Sequence, residues 1–250
     1  SKEKALVHHI INAARSALPP DGQLILIGGK QEGIKTYIDK ASDVFGPVVF
    51  QENGDHSTRV AHLRKSAPHA DAPPLDDKDY PRFRPIGEAQ GLHFFSKPGQ
   101  FGWDKIDQGS LYLAEHFEAC FTLKKSGAVL DLGCGYGFLA LQVSRFGPER
   151  IVATDNNAAA LASCRFNFEQ NEIAVGSVVA DDCGKHITEK FDTVICNPPF
   201  HQGFSTSGEM TDRFIEQTRR LLKPSGQALF VVNQFIPLEQ KAASAFRQVE

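Results

Sequence analysis

Asn197, Pro198, Pro199 and Phe200 end a short apolar run with a stiff, polar, aromatic step. Prolines fix φ and carry no N–H, so no sheet ladder continues through them. What such a step offers a ligand is acceptors: the Asn197 side-chain oxygen and the proline carbonyls. Fixed acceptors suit a planar amino group, held by its two hydrogens with the nitrogen lone pair aimed at an electrophile. Phe200 adds a flat apolar face on which a base can stack. A strand-terminating turn would use the same Asn-Pro and Pro-Pro pairs. His201 suits a phosphate contact or a late proton acceptor, although a loop histidine is ordinarily just exposed.

Three other apolar runs end in acids. Asp131 opens DLGCGYG, in which Gly133, Gly135 and Gly137 permit a tight turn and close backbone approach. A dinucleotide fingerprint would need glycine at 138, where Phe138 stands. The leading acid suits a positively charged ligand better than a pyrophosphate, and S-adenosylmethionine carries an ammonium and a sulfonium. A generic packing turn would look similar. Asp155 can accept both ribose hydroxyls of an adenosine, and Asn156 can flank the adenine. Asn156 or Asn157 would equally cap the Ala-rich helix that follows. Asp181 and Asp182 can accept from an adenine amino group, or form a solvated loop pair. Strand termination alone does not explain why the acceptor step coincides with acids at three other strand ends.

These residues act together only if one architecture gathers them. Residues 128–133, 150–155, 175–181, 191–197 and 227–233 read as strands, and 137–147, 158–171, 207–226 and 238–248 as intervening helices. Strand–helix alternation with near-continuous apolar strands predicts a parallel sheet covered on both faces, with ligands at the carboxyl ends of the strands. Ahead of it, helices over 2–18 and 32–46 and strands over 23–29 and 47–54 make a smaller α/β piece. Residues 66–85, rich in Pro and Asp, read as a loop or linker.

Composition sets the outer bounds. The 250 residues are 41% hydrophobic and 23% charged, an ordinary globular balance. No apolar run approaches the ~20 residues of a membrane span. The five cysteines contain no CxxC pair and read as free thiols of a cytoplasmic protein rather than a metal site. Net charge is −3, and neither residues 1–90 nor residues 91–250 is basic overall. A nucleic-acid contact would need a local patch. Arg213, Arg219, Arg220 and Lys223 on one expected helix, with Arg82 and Arg84 in a loop, are the only hint, and a solvated face explains them equally well.

In their order and spacing, VLDLGCGYG, VATDNN and CNPPF resemble class I S-adenosylmethionine-dependent methyltransferases of the N-P-P-[FY] type. Residues 92–240 are most similar to RsmC-type 16S ribosomal RNA guanine-N2 methyltransferases. LHFFSKPGQFGWDKIDQGSLYLAEHF matches the segment before the first strand, and NPPFHQGFSTSGEMTDRFI and VVNQFIPLEQ match later landmarks. The resemblance implies a Rossmann-like, doubly wound, mainly parallel sheet and S-adenosylmethionine as cofactor. It implies that Asp131, Gly133 and Gly135 cradle the methionine part, that Asp155 holds the ribose, and that Asp182 lies near the adenine beside Asn156. Gly109 and Ser110 would close the cofactor pocket. Asn197 and the Pro198 carbonyl would hold the guanine amino group, with Phe200 stacked on the base. Ribosomal RNA within the small subunit would be the partner of a monomer.

The resemblance also implies a preceding, degenerate methyltransferase-like domain. Residues 1–65 look like its last part: ILIGGKQEGIKTYI keeps a strand–Gly–helix shape, but no acid ends its strand and it has no N-P-P-F. It is expected to be non-catalytic, with 66–90 as linker and 91–250 as catalytic domain. Relative to the family, its first half and the last two strands after RQVE are missing. Within methyltransferases, a 23S rRNA guanine, a protein glutamine or a DNA adenine is the alternative acceptor. Outside them, a nucleotide-dependent oxidoreductase or a non-catalytic nucleotide-binding Rossmann module remains. The failed glycine spacing speaks against the first and the intact N-P-P-F against the second.

Overall fold

Apolar side chains recurring every three or four residues give α1 (Lys4–Ala17) an inward face on which Ile11 is fully buried. In this computed structural model, residues 4–54, 57–67, 71–121, 127–198 and 204–249 are described. After α1 come β1 (Gln23–Gly29), α2 (Ile34–Val44), β2 (Val48–Asn53) and β3 (Thr58–Arg64). β3 lies between the other two strands and runs antiparallel to both, so β1 and β2 are parallel to each other. Ile11, Ile34, Ile38, Phe45 and Leu63 form the core of this unit. β3 has no continuous apolar run: TRVAHLR reads as polar, and its pairing on both sides makes it a strand.

Residues 66–90 are not a linker. Both amide atoms of Asn12 clamp Leu75, donating to its carbonyl at 2.8 Å and accepting its N–H at 2.9 Å, while Arg15 donates to the Ala72 carbonyl at 2.6 Å. The first compact unit therefore runs from Ser1 to Arg82, and the second from Phe83 to Glu250. Arg84 is not in a loop but heads a strand.

The second unit opens with the hairpin of β4 (Arg84–Ala89) and β5 (Leu92–Ser96). Its two connecting residues, Gln90 and Gly91, both have positive φ, as a tight two-residue turn requires. Next come α3 (Gln108–Glu115) and α4 (Phe117–Cys120). The alternating part follows: β6 (Ala128–Leu132), α5 (Phe138–Ser144), β7 (Arg150–Asp155), α6 (Ala158–Gln170) and β8 (Gly176–Ala180). It ends with β9 (Phe191–Cys196), α7 (Phe204–Leu221), β10 (Leu222–Phe230) and α8 (Leu238–Ala242). The sheet order is β10-β9-β6-β7-β8, every pair parallel.

Side chains leave the sheet alternately on two faces. Val129, Ile151, Ala153 and Ile195 join one core with Phe94, Phe117 and Phe138; Leu130, Leu132, Val152 and Val194 join another with Phe191, Phe214 and Leu221. Burial on both sides explains why the strands read as near-continuous apolar runs. The chain winds outward one way from β6 through β7 to β8, and the other way through β9 to β10. The crevice beyond the carboxyl ends of β6 and β9 is thus the switch point where such sheets bind ligands.

Two boundaries differ from the sequence expectation. α7 stops at Leu221 rather than 226, because Pro224 cannot continue a helix and disfavours helical backbone before it. Lys223 therefore lies on β10, whose register is regular only from Gln227. α8 is one short turn rather than a helix to 248.

The hairpin is fastened to α6 by two asparagines one turn apart. Asn167, fully buried, accepts the Phe95 N–H and donates to the Phe95 and Tyr136 carbonyls, each at 2.8 Å. Asn171 does the same for His93, accepting its N–H at 2.9 Å and donating to its carbonyl at 2.8 Å. Asn167→Ala is expected to cost ~2–4 kcal/mol in urea denaturation, since it strands buried backbone groups. Asn171→Ala, beside exposed His93, is expected to cost less than ~1 kcal/mol.

Candidate active site

The turn after β6 is tied to β7. The Gly133 and Cys134 N–H groups both donate to the Thr154 carbonyl at 2.9 Å, and the Gly135 N–H donates to Asp155 Oδ2 at 3.0 Å. Gly133 and Gly135 have φ of 81° and 54°, which side chains at those positions would resist. A Cβ on Gly135 would project into open space, so this glycine leaves room above the turn. Gly137 differs: a Cβ there would lie 2.6 Å from Cys164 Sγ, so it serves the packing of α5 on α6.

Asp131 sits on β6 with 1% of its surface exposed. Its Oδ2 accepts the Ala140 N–H at 3.0 Å in the first turn of α5, while Oδ1 is buried without a partner. Burial pushes its pKa up to about 7; the Ala140 N–H lowers it and nearby Asp155 raises it. A buried carboxylate oxygen without a donor, next to a turn with open space above it, fits a cationic ligand. Asp155 also accepts the Asn157 N–H at 2.8 Å through Oδ1, and Asn157 caps α6. Asn156 donates to Asp182 Oδ1 at 3.3 Å. Arg213 pairs with Asp182 Oδ2 at 2.5 Å and holds its carboxyl below the usual range. Asp181, by contrast, turns inward and accepts the His186 N–H at 3.0 Å.

β9 delivers Asn197 beside this turn, because Ile195 pairs with Asp131 and Asn197 lies two residues further on. Its Nδ2 donates to Asp107 Oδ2 and to Ser110 Oγ, both at 2.8 Å. Asp107 caps α3 by accepting the Ser110 N–H at 2.8 Å. Gly109 allows the close approach, since a Cβ there would stand 3.2 Å from Asp107 Oδ2 and 3.6 Å from Asn197 Nδ2. Gly109 and Ser110 thus stand against Asn197. Asp107 was not among the expected site residues; the spacing of an acid three residues before Ser110 is an N-cap pattern that signals it. Pro198 is buried. Pro199, Phe200 and His201 lie outside the described residues.

The cysteines are free, as expected, and three of them are held as thiols. Contact with the Cys164 thiol and burial push the Cys134 thiol well up, burial does the same at Cys196, and it pushes Cys183 to about 12. None of these three is a thiolate nucleophile at neutral pH. The hinted basic patch is largely committed within the chain. Arg213 holds Asp182, Arg220 donates to the Ile187 and Gly184 carbonyls, and Lys223 pairs with Asp192 at 2.8 Å. Arg82 lies 3.8 Å from Asp79, and Arg84 lies over the Trp103 ring. No helix among the described residues is long and apolar enough to cross a membrane.

Residues 91–250 match the methyltransferase small domain family. The chain is 31% identical over 250 residues to ribosomal RNA small subunit methyltransferase C of Shewanella loihica, covering 99% of this chain and 70% of that protein. The protein of the same name from Actinobacillus succinogenes is 33% identical over 219 residues, covering 87% of this chain and 62% of its own length. Among solved structures, the Thermus thermophilus 16S rRNA N2 G1207 methyltransferase (RsmC), in complex with AdoMet and guanosine, superposes with a TM-score of 0.79 at 28% identity. That match covers 98% of this chain and 65% of the other. The chain thus spans roughly two thirds of the length of these relatives.

The Asp131 carboxyl makes stability depend on pH. Unfolded, it ionises near ~3.9, whereas in the fold it ionises at about 7. The stability this group contributes is complete below the lower value and is lost as pH rises through the higher one. Asp131→Asn keeps an acceptor for Ala140 and cannot ionise. Measured by urea denaturation, its stability relative to wild type should rise between pH 4 and 7, by up to ~1.4 kcal/mol per pH unit. A flat difference would mean that Asp131 is already ionised in the fold.

Proposed function

The chain belongs to the ribosomal RNA small subunit methyltransferase C family and carries its methyltransferase small domain, and from that premise we propose that it transfers a methyl group from S-adenosylmethionine to the exocyclic N2 of a guanine in 16S ribosomal RNA. The observation that carries the reading is the meeting, at one switch point, of a buried acid and open glycine turn with an asparagine whose amide nitrogen is fully occupied. The first half suits a cationic, adenosine-bearing methyl donor. The second leaves Asn197 Oδ1 free, since no donor among the described residues meets it.

When bound, S-adenosylmethionine supplies an electrophilic methyl on a sulfonium: the guanine nitrogen takes the carbon as the C–S electron pair returns to sulfur, and the surplus proton on nitrogen passes to water. In this reading Asp131 faces the donor's positive charge, and Gly133 and Gly135 let the backbone come close to it. The remaining lone pairs of Asp155 accept ribose hydroxyls, while Asn156 and Asp182 flank the adenine. Asn197 Oδ1 and the Pro198 carbonyl take the two amino hydrogens, and Phe200 provides the stacking face. Gly109 and Ser110 hold α3 against Asn197 at the pocket wall. The acceptor is a neutral amine, so rate comes from positioning and exclusion of water rather than from a general base. In a duplex the N2 group is not free, so the guanine must leave the stack.

Five free cysteines fit the reducing cytoplasm, where ribosomal RNA is met. Residues 1–65 supply none of these groups and are read as a non-catalytic companion.

Transfer of labelled methyl from S-adenosylmethionine to bare 16S rRNA, to assembled small subunits and to protein acceptors tests the reading. Label is expected on guanine N2 in one of the RNA arms, and label in protein alone would overturn it. Asn197→Ala should lower kcat by roughly a hundredfold or more while S-adenosylmethionine affinity stays near wild type. A loss confined to cofactor affinity would remove Asn197 from the acceptor role.

A further inference from the structure

We propose that Asp107 is a positioning residue for methyl transfer: its carboxylate orients and polarises the Asn197 amide that receives the acceptor's amino group. The proposal rests on the guanine-N2 reading above and deepens it.

Asp107 Oδ2 accepts two hydrogens, one from the Ser110 N–H and one from Asn197 Nδ2, each at 2.8 Å. Capping α3 accounts for the first, and Ser, Thr or Asn would cap as well. The second is different in kind. An ionised carboxylate only accepts, so it forces the nitrogen end of the Asn197 amide towards itself. Ser110 Oγ takes the other amide hydrogen at 2.8 Å. Both hydrogens are then occupied, and Oδ1 is the end left for a ligand. Rotating the amide by half a turn would set Oδ1 against the carboxylate. The charge on Asp107 thus determines which face of Asn197 a substrate meets.

The same contact changes the strength of that acceptor. A hydrogen bond to a carboxylate is roughly twice as strong as a neutral one, and bonds in series polarise one another. Electron density drawn through the amide accumulates on Oδ1. As the N–C bond forms, the acceptor nitrogen becomes positive, and the series from Asp107 through Asn197 meets that charge with no proton reaching Asp107. An interaction that grows in the transition state appears in kcat rather than in binding. Asp107 is also anchored to the other half of the site: its N–H donates to Tyr136 Oη at 3.3 Å, and Tyr136 follows Gly135 in the glycine turn.

The test uses the whole chain with Asp107→Asn, Asp107→Ser and Ser110→Ala, assayed on 16S rRNA. Both Asp107 variants keep a capping side chain, so melting temperatures should stay close to wild type, and either one alone suffices should the other fail to fold. Expected is a kcat about ten- to a hundredfold lower, because a charge-assisted bond becomes neutral or is lost, with rRNA KM and S-adenosylmethionine Kd within about twofold. Ser110→Ala, which removes a neutral partner, should lose only a few-fold. Independently of activity, the side-chain amide proton and nitrogen resonances of Asn197 should move in the Asp107 variants. Unchanged kcat, a loss lying wholly in KM or Kd, or unmoved Asn197 resonances would overturn the assignment. A wild-type protein that methylates no 16S rRNA would instead overturn the underlying reading, and the assignment with it.

Discussion

The turn after β6 hangs from its neighbour. The Thr154 carbonyl takes two of its N–H groups and the Asp155 carboxylate a third. Those three bonds require left-handed backbone at Gly133 and Gly135, set the start of α5, and thereby place the Ala140 N–H over Asp131. They also give Asp155 two duties. The acid suited to a ribose is the acid that shapes the turn beside it. Parallel pairing of β6 with both β7 and β9 makes this possible, because it brings three strand ends to one crevice.

Such an arrangement is costly to the fold. Asp131 is buried near Asp155 with one oxygen unpartnered, and the sheet would be more stable with an apolar residue there. The site tolerates this because α5 presents a backbone donor and because both sheet faces carry ample apolar burial. Acids further out are relieved by cations: Arg213 answers Asp182, and Lys223 answers Asp192. Several of the unit's cations, Arg213, Arg220 and Lys223 among them, are therefore used to hold its own loops.

The five parallel strands were legible in the residues because burial on both faces writes itself as continuous apolar runs. The strand-end acids, the glycine turn and the Asn197-Pro198 step were legible for the same reason: each follows directly on such a run, while Pro199 and Phe200 lie outside the described residues. β3 was not, because TRVAHLR is a strand by pairing on both sides rather than by its own pattern. The β4–β5 hairpin was missed although Gln90-Gly91 is a turn signal, since Pro85 and the acidic stretch before it look like loop. Asp107 escaped for a different reason. Its partner is 90 residues away, and no local periodicity announces a cap that also serves a distant amide. The committed state of the arginines was equally invisible, as Arg213 meets an acid 31 residues away and Arg220 meets backbone carbonyls that carry no sequence signal.

A two-stranded ribbon ordinarily has two raw edges, each a row of free N–H and C=O groups that another chain can adopt. In β4–β5 both edges are blunted. The outward backbone groups of His93 and Phe95 are taken by Asn171 and Asn167, which act as a surrogate strand built from side chains on a helix. The β4 edge carries Pro85, and its register breaks between Pro85 and Gly87. The asparagines that fasten the hairpin thus also protect it from strand addition and from the aggregation that follows.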